Sequence, residues 1–466
     1  MKLTPLDGRL AAVLPANSLF AVGGRVRDEI RAADGQIERA SGADSDYVVA
    51  GVGLEELVER LRRIGRVDLV GASFAVLKVT VDGETVDVAL PRRERSTGIG
   101  HRDFEVSSGA DVTLEEDLAR RDFRMNMMAR ALPGGELIDP YGGVADIGAR
   151  RIDVLSPQTF VEDPLRMLRA SQFAARFEFE PTPVLRTAMT PAAPLVASIA
   201  AERIQEELTK LLKLAKKPSI GLELLRETNV LRYVWPELLE GVAVEQNEWH
   251  AYDVWGHLMA TADAAPPGDL TLRLAALLHD IGKPRTKDGP HFYRHEIVGA
   301  EMTEAMLERF RFPAEAVRSV THLVRQHMYG ADPDIGDAAL RRFIRRAELA
   351  QIEHLFALRR ADILGSGLPK RSDGNERFEA RVREEIDRKP AFAVTDLAVS
   401  GDDVIAALRR RGDVAPNFRG DRRVGEALHW LFEQVTDEPR RNERALLLHA
   451  LEQYLEHPPP PQRLGE

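Results

Sequence analysis

The 466-residue sequence contains no cysteine, which excludes a disulfide framework and thiolate chemistry and fits a reducing cytoplasm. Any metal site must therefore use histidine and carboxylate ligands. No stretch approaches the roughly 20 consecutive apolar residues of a membrane span. The first twenty residues carry Pro5, Asp7, Arg9 and Pro15 in place of an apolar leader, so the expectation is a cytoplasmic protein with no membrane partner. Internal repeats are absent. An excess of positive charge is absent too: the formal net charge is -10, which argues against phosphate binding spread over the whole surface. Basic residues do cluster at Lys210–Lys217, at Arg341, Arg342, Arg345 and Arg346, and at Arg409–Arg411. Each of these clusters is expected to be a solvated helix face rather than an RNA contact.

A chain of this length exceeds what one hydrophobic core serves, so several domains are expected. Up to about residue 150, short β-like runs (Leu19–Val22, Tyr47–Ala50, Val86–Leu90) alternate with helical patterns such as Leu54–Arg63, which reads as a mixed α/β domain. From Pro164 onward the apolar residues keep helical spacing almost continuously, punctuated by Pro181, Pro183, Gly221, Pro236 and Pro266. A polar break at Gly365–Asn375 marks a last boundary, and Pro458–Pro461 opens a frayed tail. The expected division is 1–155, 156–240, 241–365 and 366–466.

Phe20–Asp28 (FAVGGRVRD) places two glycines between an apolar strand and a helix. There, backbone N–H groups and the helix N-terminus can approach a phosphate, and Arg27 can hold a triphosphate. Alone, the pattern is an ordinary tight turn. Asp44 and Asp46 follow, two apart at the start of a strand, so their carboxylates project to one face and can share divalent cations. Paired Mg²⁺ ions held there would activate an attacking hydroxyl and stabilise a leaving pyrophosphate. Asp87, in the strand-like VDVAL, is a candidate third carboxylate, with a solvent-facing position as its alternative.

GGRVRD followed by the Asp44/Asp46 pair resembles the head-domain signature of class II tRNA nucleotidyltransferases and bacterial poly(A) polymerases. Later blocks keep the family order: DLARRDFRMN (Asp117–Asn126), IDPYGG (Ile138–Gly143) and EDPLRMLRA (Glu162–Ala170). The resemblance implies a polymerase-β-like mixed-sheet head followed by an all-α neck, an HD domain and a helical tail. It implies Mg²⁺ at the head site, CTP and ATP as substrates and tRNA as partner. It also implies catalytic roles for Asp44 and Asp46, and nucleotide contacts for Gly24, Arg27, Arg121, Asp122, Asn126, Asp163, Arg166 and Arg169. One departure is Arg124 with Met125, Met127 and Met128, where relatives usually carry Thr and small residues. ERIQEEL (Glu202–Leu208) also resembles a family motif, in which Arg203 and Glu207 are expected to form a structural pair.

Glu162-Asp163-Pro164 reads as a helix start with Pro at the first helical position. Asp163 can then be an N-cap, or it can share a helix face with Arg166 and present a pure acceptor beside a pure donor. Cytosine and adenine both offer an amino donor next to a ring-nitrogen acceptor, whereas the corresponding edges of uracil and guanine reverse that order. One Asp/Arg pair can therefore accept C and A and reject U and G. A wrong base leaves buried polar groups unpaired, for which selectivity reaches on the order of 10⁴.

Seven of the 12 histidines lie between His250 and His327. Within LAALLHDIGKP, His279 and Asp280 end an apolar run, with His257 one helix earlier and Asp362 on a later helix. The order His, His-Asp, Asp resembles the HD phosphohydrolase superfamily. His295 and His327 are candidate further ligands or phosphate contacts. Imidazole with carboxylate suits a divalent transition metal or Mg²⁺, and the resemblance implies phosphatase, 2′-nucleotidase and 2′,3′-cyclic phosphodiesterase chemistry. A degenerate HD scaffold kept for tRNA binding is the alternative. The last helices resemble the family's C-terminal segment, which implies a surface along the acceptor arm. The long charged interval Pro91–Glu116 reads as the family's flexible loop, which favours full CCA addition over CC-only, A-only or poly(A) addition. A reading from another class, an RNA-binding HD hydrolase with an inactive head, stays open at this point.

Overall fold

The computed structural model describes all residues except 1–2, 39–45, 71–75, 97–103, 110, 370–372 and 458–466; of 94–96 and 104–108 it describes the backbone alone. The chain forms two compact units, residues 1–321 with 365–367, and residues 322–364 with 368–466.

In the first unit nine strands are relevant to the site: β1 (Leu19–Val22), β2 (Asp46–Val49), β3 (Arg66–Val70), β4 (Val76–Val81), β5 (Glu84–Ala89), β6 (Arg92–Ser96), β7 (Phe104–Ser108), β8 (Ala129–Leu132) and β9 (Leu137–Ile138). Seven of them form a sheet in the order β3-β4-β5-β2-β1-β8-β9. It is mixed: β2 runs parallel to β5 and antiparallel to β1. All four residues of β1 are buried, as expected of a central strand covered on both faces, which therefore reads as a continuous apolar run. The interval read as a loop carries the antiparallel pair β6–β7; its tip lies outside the described residues.

Helix Gly24–Ala33 starts directly after β1. Its N-cap Gly23 has φ 68°, a backbone conformation that costs glycine little. The helix buries charge: Arg25 donates to both carboxylate oxygens of Asp7, at 2.8 and 2.6 Å, and the Tyr47 hydroxyl donates to the same carboxylate at 2.7 Å. Burial opposes ionisation of Asp7, but Arg25, the Thr4 amide and Tyr47 outweigh it and hold the carboxyl below its ordinary range. This buried triad pins helix Pro5–Val13, helix Gly24–Ala33 and β2 together.

Arg124 and the three methionines belong to the packing of the head. Met125, Met127 and Met128 are core residues. Arg124 donates to the Tyr141 carbonyl at 2.8 Å and pairs with Asp146 and Asp153, each at 3.2 Å. Helices Leu165–Phe177, Ala201–Leu214 and Pro218–Glu227 then form an all-helical block.

In the second unit, Tyr329, Phe343, Phe356 and Phe378 pack as an aromatic cluster, and Val404, Leu408, Leu431, Val435 and Leu447 anchor the terminal helices. The expectation of a solvated face fails for most of the 341–346 cluster. Arg341 is buried and donates to Glu385 at 2.6 Å and to the Thr436 carbonyl at 2.6 Å, while Arg345 pairs with Glu433 at 2.6 Å. Carboxylates from distant helices, which no local pattern reveals, meet these guanidinium groups.

Candidate functional site

A cleft of about 520 Å³ opens in the first unit between the sheet and the helical block. Gly23 and Gly24, Arg27 and Asp46 line one side, and Asp163, Arg166 and Arg169 line the other. A Cβ on Gly23 would lie 3.2 Å from Arg121 Nη1 and 3.6 Å from Asp46 Oδ2, so the bare backbone of the turn lets both groups close over it. Asp46 on β2 is registered with Asp87 on the parallel neighbour β5, which puts both on one face of the sheet.

Asp122 is the junction of the cleft. Its Oδ1 accepts from Asn126 Nδ2 and from the Phe123 amide, each at 2.8 Å. Its Oδ2 accepts from Arg169 Nε and Nη2 at 2.8 and 2.6 Å. Burial opposes its ionisation, but Arg169 and Asn126 prevail and keep the carboxyl below its ordinary range. Asn126 in turn accepts from Arg27 Nη1 at 3.0 Å. A single polar chain thus runs from Arg27 on helix Gly24–Ala33 to Arg169 on helix Leu165–Phe177.

A second cluster is made of histidines. His257 Nε2 and His279 Nε2 are 3.1 Å apart, and each is 3.3 Å from Asp280 Oδ2. All three residues are buried, with ligand atoms close enough for one metal ion. His257 Nδ1 faces the Gly365 carbonyl at 3.1 Å and His279 Nδ1 faces the Ala276 carbonyl at 3.0 Å. A carbonyl only accepts, so each Nδ1 carries the proton and each Nε2 turns a lone pair toward the other and toward a carboxylate. Three facing acceptors call for a cation. Ligands about 2.1 Å from a cation and at right angles stand about 3 Å apart, close to the spacing found. His295 Nε2 lies 3.2 Å from Asp280 Oδ1, with its own Nδ1 on the Phe292 carbonyl at 2.7 Å. Lys283 Nζ is 2.5 Å from Asp280 Oδ2; burial opposes ionisation of Asp280, but the Lys283 ammonium beside it holds the carboxyl well below the usual range. Gly282 must lack a side chain, because a Cβ there would stand 2.3 Å from the His295 carbonyl oxygen.

Three family descriptions match the chain in order: the poly A polymerase head domain over residues 19–153, the probable RNA and SrmB-binding site of polymerase A over 178–241, and the HD domain over 249–366. The multifunctional CCA protein of Paraburkholderia phytofirmans is 34% identical over 427 residues, 88% of this chain and 97% of that protein. The chain belongs to the multifunctional CCA protein family. The Cupriavidus metallidurans member is 36% identical over 355 residues, 73% of this chain and 82% of its own length. In fold, the chain is similar to the CCA-adding enzyme of Bacillus stearothermophilus solved with CTP, with a TM-score of 0.67 at 22% identity, covering 97% of this chain and 98% of that one. It is also similar to the Thermotoga maritima CCA-adding enzyme complexed with tRNA-CCA, with a TM-score of 0.56 at 19% identity over 97% and 96%.

For this multifunctional CCA family member, the structure brings Gly24, Arg27, Asp46, Arg121, Asp122, Asn126, Asp163, Arg166 and Arg169 into one cleft. Asp44 lies outside the described residues. Asp163 and Arg166 share the cleft but not one helix face. Asp163 has extended backbone between helix Thr159–Glu162 and helix Leu165–Phe177, and its Oδ1 caps the Leu165 amide at 3.2 Å. Arg166 donates to Thr159 Oγ1 and to the Arg120 carbonyl, each at 2.5 Å. The expected Arg203–Glu207 pair is corrected: Arg203 faces Asp163 at 3.6 Å, and buried Glu207 faces Lys210 at 2.8 Å and Arg169 at 3.9 Å. Of the expected HD residues, His257, His279, Asp280 and His295 converge. Asp362 lies on helix Ile352–Gly365 and His327 follows helix Ala314–Gln326, both within the second unit. Sequence reasoning missed Gln172, Phe173, Arg176 and Lys210 on the cleft wall, and it missed Lys283, whose i,i+3 spacing from Asp280 in HDIGK was the available signal.

Among the described residues, no helix is long and apolar enough to cross a membrane.

Proposed function

We propose that this chain adds C, C and A in turn to the 3′ end of tRNA from CTP and ATP, without a template and with release of pyrophosphate, and that its HD domain hydrolyses phosphoesters. The observation that carries the first part is the single cleft in which the glycine turn, Arg27 and Asp46 face Asp163, Arg166 and Arg169. We assign the head to 1–155, the neck to 156–240, the HD domain to 241–365 and a tRNA-binding tail to 366–466, with the protein at work in the cytoplasm.

In this reading Gly23, Gly24 and Arg27 receive the triphosphate at the N-terminus of the helix. Asp163 and Arg166 read the amino group and ring nitrogen of C or A. Asp122 and Asn126 hold Arg169 and Arg27 at fixed separation, so base reading and triphosphate binding share one frame. Asp44 and Asp46, with Asp87 beside Asp46 in register, would hold Mg²⁺, which supplies Lewis-acid activation of the tRNA hydroxyl and stabilisation of pyrophosphate. His257, His279 and Asp280, with His295 as a further candidate, would hold a divalent transition metal or Mg²⁺ at the HD site, where such an ion supplies an activated water.

The deciding experiment offers the purified protein Mg²⁺ and tRNAs lacking CCA, CA or A, with CTP, ATP, both, or UTP and GTP, and resolves products at single-nucleotide length. Stepwise completion to CCA and no further, with UTP and GTP ignored, is expected. Arrest after CC, addition only to a tRNA ending in CC, a long A-tail, or no addition would each replace the reading with a different one.

A further inference from the structure

Arg27 and Arg176 line the triphosphate side of the cleft; Arg31, outside the lining, adds a further cation beside them, and the three are arranged around a phenylalanine. Arg27 and Arg31, one turn apart on helix Gly24–Ala33, are both buried. The guanidinium carbon of Arg31 stands 3.9 Å from the centroid of the Phe177 ring, that of Arg27 4.7 Å and that of Arg176 5.3 Å. Phe173 stacks on Phe177 with centroids 5.3 Å apart and planes at 18°, and itself receives Arg27 and Arg169, each at 5.3 Å. Phe173 also meets Phe123 of the RRDF block edge to face at 5.8 Å. Two rings on one helix therefore bear on four arginines, of which Arg27 and Arg31 come from the head.

We infer that Phe177, backed by Phe173, is a positioning residue that holds Arg27 and its neighbouring cations for the triphosphate without neutralising them. This rests on the nucleotidyltransferase reading above. In-plane contacts fix only part of Arg27: Nε donates to Asp28 at 2.9 Å and Nη1 to Asn126 at 3.0 Å. Asp28 is shared with Arg31 at 3.5 Å, so one carboxylate serves two guanidinium groups. A further carboxylate at position 177 would settle these cations but would also compete with the incoming phosphates. An aromatic face attracts a cation through its quadrupole and carries no net charge. It can therefore fix the guanidinium plane and leave the positive potential for the substrate. The state of Arg31 agrees: burial first, then the nearby Arg27 and Arg176, press its guanidinium below the usual value despite Asp28. A bound triphosphate would relieve that repulsion.

The test compares Phe177→Leu, which keeps an apolar side chain of similar bulk, with Phe177→Tyr, which keeps the π face. Wild-type and variant proteins are assayed for CTP and ATP addition and for inhibition by inorganic tripolyphosphate, which has no base. Phe177→Leu is expected to raise both nucleotide KM values and the tripolyphosphate inhibition constant together by roughly fivefold to thirtyfold. Rejection of UTP and GTP should not change, and Phe177→Tyr should restore wild-type values. If Phe177→Leu does not fold, Arg31→Met removes a cation from the same ring and should weaken tripolyphosphate in the same direction. Unchanged tripolyphosphate inhibition in a folded variant, altered base selectivity, or failure of Phe177→Tyr to restore binding would overturn the inference. No addition by the wild-type protein would instead overturn the nucleotidyltransferase reading.

Discussion

Replacing Asp122 by Asn changes one atom, and the structure leaves that atom no acceptable position. In the wild-type protein Oδ1 accepts two hydrogen bonds, from Phe123 N and Asn126 Nδ2, and Oδ2 accepts two more from Arg169. An asparagine has one accepting oxygen and one donating NH₂ group. If the oxygen faces Arg169, the NH₂ opposes two donors; if it is flipped, the NH₂ opposes a guanidinium. Either way two of the four bonds become donor–donor contacts. A hydrogen bond to a charged group contributes about 1.5–3 kcal/mol, which corresponds to roughly a tenfold to 150-fold loss in kcat/KM. The lower half of that range is expected, because 33% of the Arg169 side chain remains exposed and water can replace part of the interaction. CTP and ATP should suffer alike, since Arg169 is held beside the Asp163/Arg166 pair and does not replace it. Asparagine does not titrate, and the wild-type carboxyl is held below its ordinary range, so the loss should be the same across neutral pH. Single-turnover addition to tRNAs lacking CCA or only A, with either nucleotide, measures this. A variant within threefold of wild type for both would refute the role of Asp122 as the junction.

Asp46→Ala should abolish nucleotide addition while leaving phosphoester hydrolysis intact, read on the same protein preparation. His279→Ala should do the converse; because it also removes one of the facing lone pairs, a chelator should lower the melting temperature of wild type and leave that of the variant unmoved. Asp7→Asn should destabilise the head by about 3–5 kcal/mol, the usual cost of breaking a buried ion pair, seen as faster hydrogen exchange in peptides spanning β1 and β2. The folded pKa of Asp7 is depressed, so its contribution is complete above the unfolded value of about 3.9 and is lost as pH falls through the folded value. The gap between Asp7→Asn and wild type should therefore be constant near neutrality and shrink below about pH 4; a gap that widens in acid would show the sign to be wrong.

Much of this architecture was legible in the sequence because its signals are local. Four consecutive apolar residues before GGRVRD announce a buried strand, and the glycines announce the turn that Gly23 makes. Leu54 opens a helix in both readings, and HDIGK ends one. What was not legible depends on partners far along the chain. Arg203 and Glu207 sit at helical spacing, but Asp163, from the break before helix Leu165–Phe177, and Arg169, on that helix, arrive beside them and take them as separate partners. Arg341 meets Glu385 across 44 positions. The break at Asp163 is a different case, since its signal was present. The residue before a proline is driven from helical to extended backbone, and Asp163 duly has φ -133° and ψ 98° before Pro164. That constraint turns the Asp163 carboxylate out of the helix and into the lining of the cleft.

The net charge of the chain points away from nucleic acid and the cleft points toward it, and the two agree once charge is counted where the chemistry would occur. Seven arginines and lysines line the cleft against four carboxylates, Asp46, Asp122, Asp163 and Glu207. Two of those carboxylates are engaged internally, Asp122 by Arg169 and Glu207 by Lys210. The remaining two are the acids assigned to metal and base. A concave site with a net excess of positive charge focuses potential and attracts a polyphosphate, and the net negative charge of the rest of the chain repels the same ligand. An acidic protein can in this way confine phosphate binding to the one place where it leads to reaction. The same separation explains why the aromatic support of Arg27 and Arg31 suits this cleft better than a carboxylate would: further neutralisation there would erase the contrast between the site and the rest of the surface.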